Sequence, residues 1–476
     1  MAYQAYSVSW NLTQRCNLFC VHCYMSAFPQ ADVSGDFTTE ECFKVMDDMA
    51  KVNPNIFLIL TGGEPLVRKD IFDIAAYGAD KGFTCVLGTN GVLLGKDEAK
   101  AMRRSGLQGA SVSLDSVDPE KHDAFRQLAG SWKNAVRGTR FLREEGLDFS
   151  LHMSVMSWNV SEIPRMIDLA RDLGAKVLNF FFLVQTGRGE NLIDIDPGQY
   201  EEILTYLARA QGVGKAGVGG QGSEIQGSGV RGQGPGLESA SGLFDRFEDP
   251  WASPAGQSGG LILRAKCAPH FRRIIYQLDP DSPLLKNYAQ GSCPAGKYYC
   301  RITPEGDITP CPYMPVSAGN LRSQSFDEIW NTSPVLNDLR EPRLGGRCGE
   351  CEFSEICGGC RCRAFAVHQD YLAEDPACGY QPGQYGGKRI RLAEEQTFGL
   401  EVKFTLEWSS AAMERLKGLP SFARGMVARG VERYAVENDI SYITPEVMQI
   451  VRQRAEERLG RSFNFSEFNR KVPENQ

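Results

Sequence analysis

The sequence contains no apolar run of membrane-spanning length. Its N-terminus has neither the charged nor the apolar region of a signal peptide. Nor is there an excess of positive charge: 52 Lys and Arg against 59 Asp and Glu leave the chain at −7, which argues against a nucleic-acid surface. What is plentiful is cysteine. Fifteen of them, without an export signal, point to a reducing compartment and to metal binding rather than to disulfides. The chain's 476 residues exceed one ordinary domain and predict roughly two to four, and 42% hydrophobic residues are ample for packed cores. The cysteines fall in two groups, one near the N-terminus and one between Cys267 and Cys378.

The first group is Cys16-Asn17-Leu18-Phe19-Cys20-Val21-His22-Cys23, spaced C-x3-C-x2-C just after the strand-like run Tyr6–Leu12. Soft thiolates this close suit an iron–sulfur cluster or zinc far better than a disulfide. Three ligands leave one iron of a four-iron cubane open to a small molecule, whereas a structural zinc knuckle needs a fourth ligand that is not nearby. Together with Gly62-Gly63-Glu64-Pro65 downstream, the spacing resembles the radical S-adenosylmethionine (SAM) superfamily. The resemblance implies a catalytic [4Fe–4S] cluster on Cys16, Cys20 and Cys23. Its open iron chelates the amine and carboxylate of SAM, and one electron cleaves SAM to a 5′-deoxyadenosyl radical. With its thiols, the missing export signal predicts a cytoplasmic iron–sulfur protein.

Short apolar runs then alternate with amphipathic helical stretches as far as about Gly189. The runs are Tyr6–Leu12, Asn55–Leu60, Phe83–Thr89, Gly109–Leu114, Phe149–Met156 and Val177–Val184. The first helix opens at Thr38, where Glu41 completes a capping box. Such alternation predicts a parallel α/β sheet, and six units fit the partial (β/α)6 TIM-like barrel of the family, with chemistry where strands end. The resemblance assigns the SAM amine to Gly62, Gly63, Glu64 and Pro65. It gives further SAM contacts to Ser113, Asp115 and Asn159, the SAM carboxylate to Arg126, and a place beside adenine to His22. Gly187-Arg188-Gly189 is expected to touch adenine or substrate. Cys42 and Cys85 read as small buried hydrophobes.

Residues 206–262 are dominated by Gly, Ser, Gln and Ala, a composition that predicts a flexible insertion between a barrel at 1–205 and a Cys-rich part at 263–395. There, Cys293-x12-Gly306-x4-Cys311 brackets a hairpin, Tyr299–Thr303 and Asp307–Thr309, turning at Pro304-Glu305-Gly306. Cys348-x2-Cys351-x5-Cys357-x2-Cys360 and Cys378 follow, a pattern that resembles the SPASM extension with its auxiliary [4Fe–4S] clusters. The usual last spacing is x3, so the ligand sets and the number of auxiliary clusters, one or two, stay open. By resemblance Cys348, Cys351, Cys357 and Cys378 hold one cluster. Cys293, Cys311 and Cys360 hold another, completed by Cys267, Cys300, Cys362 or nothing. Zinc is the alternative for Cys348–Cys360.

The segments Arg264–Arg273, with Cys267 and His270, and Asp370–Pro376 resemble radical SAM enzymes of alternative haem synthesis, as do Cys293–Gly296 and Cys311–Tyr313. Those enzymes act on carboxylate side chains of tetrapyrroles, so Arg264, Arg272, Arg273 and His270 are candidate substrate contacts. Residues 400–476 read as a small all-helical domain in which Thr444-Pro445 opens a helix striped by Val447, Ile450, Val451, Ala455 and Leu459. This part resembles a domain of a light-independent protochlorophyllide reductase subunit. The implied function is oxidative removal of tetrapyrrole carboxylate groups, with SAM as cofactor and an electron donor such as flavodoxin or ferredoxin. A peptide maturase is one rival, although the start of the chain so close to the first strand leaves no room for a leader-binding domain. A non-catalytic electron-transfer or tetrapyrrole-binding scaffold is the other.

Overall fold

A computed structural model describes residues 3, 5–213, 261–282, 284–285, 292–391, 404–417, 419 and 421–459; most of the expected Gly-rich insertion, 214–260, lies outside them. The six apolar runs become strands β1 (Ser7–Asn11), β2 (Phe57–Thr61), β3 (Thr84–Thr89), β4 (Gly109–Ser113), β5 (Asp148–Val155) and β6 (Val177–Phe182). Between them lie α1 (Thr39–Val52), α2 (Ile71–Asp80), α3 (Lys96–Arg104), α4 (Pro119–Arg126), α5 (Ser131–Glu144) and α6 (Ile163–Leu173). The capping box at α1 forms: the Thr38 hydroxyl accepts from the Glu41 N–H at 3.2 Å, and Glu41 accepts from the Thr38 N–H at 2.8 Å. After α7 (Pro197–Arg209) come β7 (Ile262–Lys266) and α8 (His270–Leu278). The hairpin follows as β8 (Tyr299–Ile302) and β9 (Asp307–Thr309), then β10 (Gly319–Asn320).

One sheet holds all ten strands in the order β10-β9-β8-β1-β2-β3-β4-β5-β6-β7, parallel from β8 through to β7. The six expected strands form one parallel run, β1 to β6, and the sheet adds a parallel strand at each end of it. β7 pairs with β6, and β8 pairs with β1, although the sequence reading puts both in the Cys-rich extension. β7 was hard to see because it is short and carries Arg264 and Lys266; β8 was expected as a hairpin strand, but its pairing with the distant β1 leaves no local signal.

Alternate strand residues such as Trp10, Leu58, Leu87, Leu151 and Phe180 are fully buried under the helices, where Cys42 and Cys85 also lie. The opposite, inner face carries polar side chains as well as apolar ones: Asn11, Ser113, His152, Asn179, Arg264 and Arg301 point there by register. No helix among the described residues is long and apolar enough to cross a membrane.

The C-terminal part has helices at Ser410–Lys417, Ser421–Glu437 and Pro445–Leu459 and two short paired strands, around a core that includes Ala412, Val431, Ile443 and Val447. Its stripe differs from expectation: Ile450 is 39% exposed and Met448 is buried in its stead.

Candidate active site

The cysteine loop leaves the end of β1 with Cys16 and Cys20 buried and Cys23 half-buried. Each sulfur meets an N–H donor. Cys16 accepts from the Leu18 N–H (3.4 Å) and Cys23 from the Ala27 N–H (3.4 Å), while Nη1 of Arg126 lies 3.8 Å from Cys20. Donors around sulfur favour thiolate over thiol, as an iron ligand requires. Without metal, burial pushes the Cys16 thiol up to about 12, so it is no free nucleophile. The three residues fit a cluster that takes three protein thiolates.

Gly62 and Gly63 let the end of β2 pack backbone to backbone against this loop. A Cβ at Gly62 would stand 2.8 Å from the Thr13 carbonyl oxygen, and one at Gly63 would overlap Arg15. Glu64 is fully buried and accepts from the Thr89 hydroxyl (2.8 Å), the Asn90 N–H (2.8 Å) and the Leu66 N–H (3.2 Å). Burial raises its carboxyl to about 7 despite those donors. It ties the ends of β2 and β3 together. Pro65 is buried in the turn that follows.

Asp115, just past β4, is likewise committed. Its carboxylate accepts from Arg126 Nε at 2.6 Å and from the Ser154 N–H at 3.0 Å. Burial alone would raise this group, but the Arg126 guanidinium holds it well below the usual carboxylate range. Arg126 thus bridges Asp115 and Cys20. Asn159 donates to the Asp115 and Ser154 carbonyls (2.9 and 2.8 Å) and accepts from the Met156 N–H, so its amide positions this corner. Ser113 sits half-buried on the inner face, beside His152 in register.

His22 stacks on Phe125, with ring centroids 4.2 Å apart, and Trp158 leans against the same Phe. Burial keeps its imidazole neutral, down at about 3. Gly187-Arg188-Gly189 clamps the cysteine loop itself: Arg188 Nε donates to the Cys20 carbonyl at 2.8 Å, and its guanidinium lies 4.1 Å over Phe19. Asn90 was missed by sequence reasoning, yet its Nδ2 lies 3.8 Å from the Cys16 sulfur and 2.8 Å from Asn17 Oδ1. Its signal was its place at the end of a strand, on the catalytic rim.

The second cysteine field resolves into two nests. Cys348, Cys351, Cys357 and Cys378 line one cavity. Cys348 accepts from the Asp375 N–H (3.5 Å) and Cys351 from the Phe353 N–H (3.4 Å). Cys293, Cys311 and Cys360 form the other with both Cys267 and Cys362, all free thiols packed close enough to influence one another. Cys300 does not join them; it is buried in the barrel core. Among the described residues no three His, Cys, Asp or Glu converge tightly enough for a single metal ion. A four-iron cluster is larger and takes its thiolates farther apart.

Three of the four candidate substrate contacts lie elsewhere. Arg273 pairs with Glu201 of α7 and lies over Tyr380, and Arg272 donates to the Leu285 carbonyl. His270 faces Asp375 at 3.1 Å, which lifts its imidazole to about 9 against the effect of burial. The reason is the turn from β7 to α8: Arg264 stays on the inner face while the α8 residues pack against α7 and the nests. Asp375 joins the nests, its Oδ2 accepting from the Cys360 N–H at 2.6 Å and from Arg363.

Known proteins match the same three parts of the chain. A profile of the radical SAM superfamily matches residues 10–170, one of an iron–sulfur cluster-binding domain (SPASM) matches 293–371, and one of the proto-chlorophyllide reductase 57 kD subunit matches 408–452. A protein of Methanosarcina barkeri named AdoMet-dependent heme synthase is 36% identical over 385 residues, which are 79% of this chain and 97% of that protein. The chain belongs to the radical SAM superfamily. This radical SAM enzyme is also 29% identical to the M. barkeri Fe-coproporphyrin III synthase, over 78% of its own length and 87% of the relative's. Streptococcus suis SuiB bound to S-adenosylmethionine shares its fold with a TM-score of 0.56 at 14% identity, covering 80% of this chain and 78% of that one. Family and cluster-binding domain together imply [4Fe–4S] clusters.

Proposed function

We propose that this radical SAM enzyme acts in haem biosynthesis and oxidatively decarboxylates propionate side chains of an iron porphyrin. The observation that carries the reading is the 36% identity to an AdoMet-dependent heme synthase along nearly that protein's whole length. Cys16, Cys20 and Cys23 would hold the SAM-binding cluster, and the two nests would hold the auxiliary clusters. With SAM, the first supplies one-electron reductive cleavage and a radical that takes hydrogen from substrate.

The chain's own residues do the rest. Arg126 and Asn90 set the environment of the ligand sulfurs, and the Asp115–Arg126 pair and Arg188 fix the loop. Converting a propionate to a vinyl group removes one hydrogen atom and CO2 and leaves one electron, and auxiliary clusters held by the two nests would supply a one-electron acceptor. The cationic inner face, with Arg264, Lys266 and Arg301, suits a polycarboxylate macrocycle.

The test is anaerobic: reconstituted, reduced enzyme with SAM and either iron-coproporphyrin III or didecarboxysirohaem, read by mass spectrometry. The expected product has lost the elements of formic acid from one or two side chains. If neither tetrapyrrole changes while a peptide encoded beside the gene is modified, the enzyme is a maturase.

A further inference from the structure

Across β5, β6 and β7 one row of inner-face residues runs His152, Asn179, Arg264, each in register with the next. One step nearer the strand ends the row is Ser154, Phe181, Lys266. Arg264 and Lys266 are therefore neighbours on one face, and both influence His152 electrostatically. The His152 ring leans on Phe181 (4.9 Å between centroids), and its Nε2 lies 3.3 Å from the Ser150 hydroxyl, so it is a fixed neutral wall.

Two facts make this corner unfinished. Arg264 and Lys266 have no ion pair among the described residues; the groups that act on Lys266 there are Arg264, a like charge, and the Cys267 thiol. Uncompensated cations partly out of water are costly unless an anion arrives. Independently, Asn179 is 6% exposed, and its carboxamide oxygen has no hydrogen-bond partner among the described residues. A carboxamide turns over readily, so the same group can offer donors instead.

We propose that Arg264, Lys266 and Asn179 form a subsite for one carboxylate of the substrate, a propionate that the enzyme holds and leaves intact. The proposal rests on the haem reading and deepens it. The guanidinium fork takes a carboxylate with two hydrogen bonds, and Lys266 adds a point charge. Depth argues for anchoring. The Arg264 row lies two residues before the end of β7, below the rim that carries the cysteine loop and Asp115. Chemistry argues the same way, because a carboxylate leaving as CO2 forfeits its ion pairs. A held propionate therefore resists decarboxylation while it orients another toward the rim.

The experiment titrates reconstituted protein with iron-coproporphyrin III and with its tetramethyl ester, following the Soret band. R264M, K266M and N179D are compared with wild type, and iron content is checked for each because Lys266 adjoins Cys267. Each variant should bind the free acid about tenfold to a hundredfold more weakly, the range for charge-assisted hydrogen bonds. Each should bind the ester as wild type does, and R264K should recover part of the loss. N179D probes the site with minimal change in shape, since its carboxylate would occupy Arg264. Equal free-acid affinity in wild type, R264M and N179D overturns the subsite, as does parallel loss of acid and ester binding. If wild type turns over the acid but R264M differs in nothing, only the subsite falls. If wild type binds neither compound, the haem reading falls and the subsite with it.

Discussion

Replacing Asp115 with Asn tests whether the buried Asp115–Arg126 pair is what fixes the cysteine loop to the sheet. Asp115 is fully buried and Arg126 8% exposed, with 2.6 Å between Arg126 Nε and the carboxylate. Removing one partner of such a pair leaves a buried charge, at a cost of about 3–5 kcal/mol. Asn keeps the shape and an acceptor for the Ser154 N–H, which puts D115N at the lower end, ~3 kcal/mol. For a domain of about 150–250 residues each kcal/mol moves Tm by about 2–4 °C, so the barrel transition should fall by ~6–12 °C. The assay is calorimetry of D115N, R126M and the double variant D115L/R126M. The double variant should recover most of the loss, because an apolar pair of similar volume replaces a buried ion pair at little cost. A D115N shift below about 2 °C, or a double variant no better than D115N, refutes the argument.

Gly187→Ala should lower both Tm and the iron retained near the N-terminus, since the residue has φ +57° and its Cβ would stand 2.6 Å from the Cys23 carbonyl oxygen; Gly35→Ala, with nothing within 4 Å, is the control. Glu64→Gln should cost about 1–3 kcal/mol by setting an amide N–H against the Asn90 N–H. It should also remove a pH slope: with the carboxyl at about 7 in the fold and 4.5 when free, the folded state holds the extra proton, so wild-type stability falls as pH rises through that window. Melting both proteins from pH 4.5 to 7.5 checks this, and parallel curves would count against a raised Glu64. Cys300→Ser should leave iron unchanged, whereas C267S/C362S should lose about four irons per chain, as metal analysis will read.

Sequence alone revealed whatever depends on local pattern. The short apolar runs pointed to six strands and the cysteine spacing to the catalytic loop, because both signals sit within a few residues. Partners distant in sequence were hidden. That Arg126 faces Asp115, or that Glu64 is satisfied by Thr89 and Asn90, depends on which strands stand side by side. Arg264, Arg272 and Arg273 read as one basic segment. A strand end and a helix start separate them, and only Arg264 remains on the inner face. Cys362 was ambiguous for a similar reason: Cys360 caps the helix Arg361–His368, and the first turn brings Cys362 back into the same nest.

The cations sort by partner, and the sorting separates scaffold from site. Arg126 has Asp115, Arg273 has Glu201, Arg347 has Glu374 and Arg363 has Asp375; each joins one segment of the fold to another. Arg188 spends itself on the Cys20 carbonyl and Phe19, and Arg340 on the Gly296 carbonyl and Trp330. Among the described residues this pattern leaves two neighbouring cations on the inner face, Arg264 and Lys266, without an acid. Arg264 and Lys266 face the space that the cysteine loop overlooks. The carboxylate proposed for this corner would supply the counter-charge that no described residue provides.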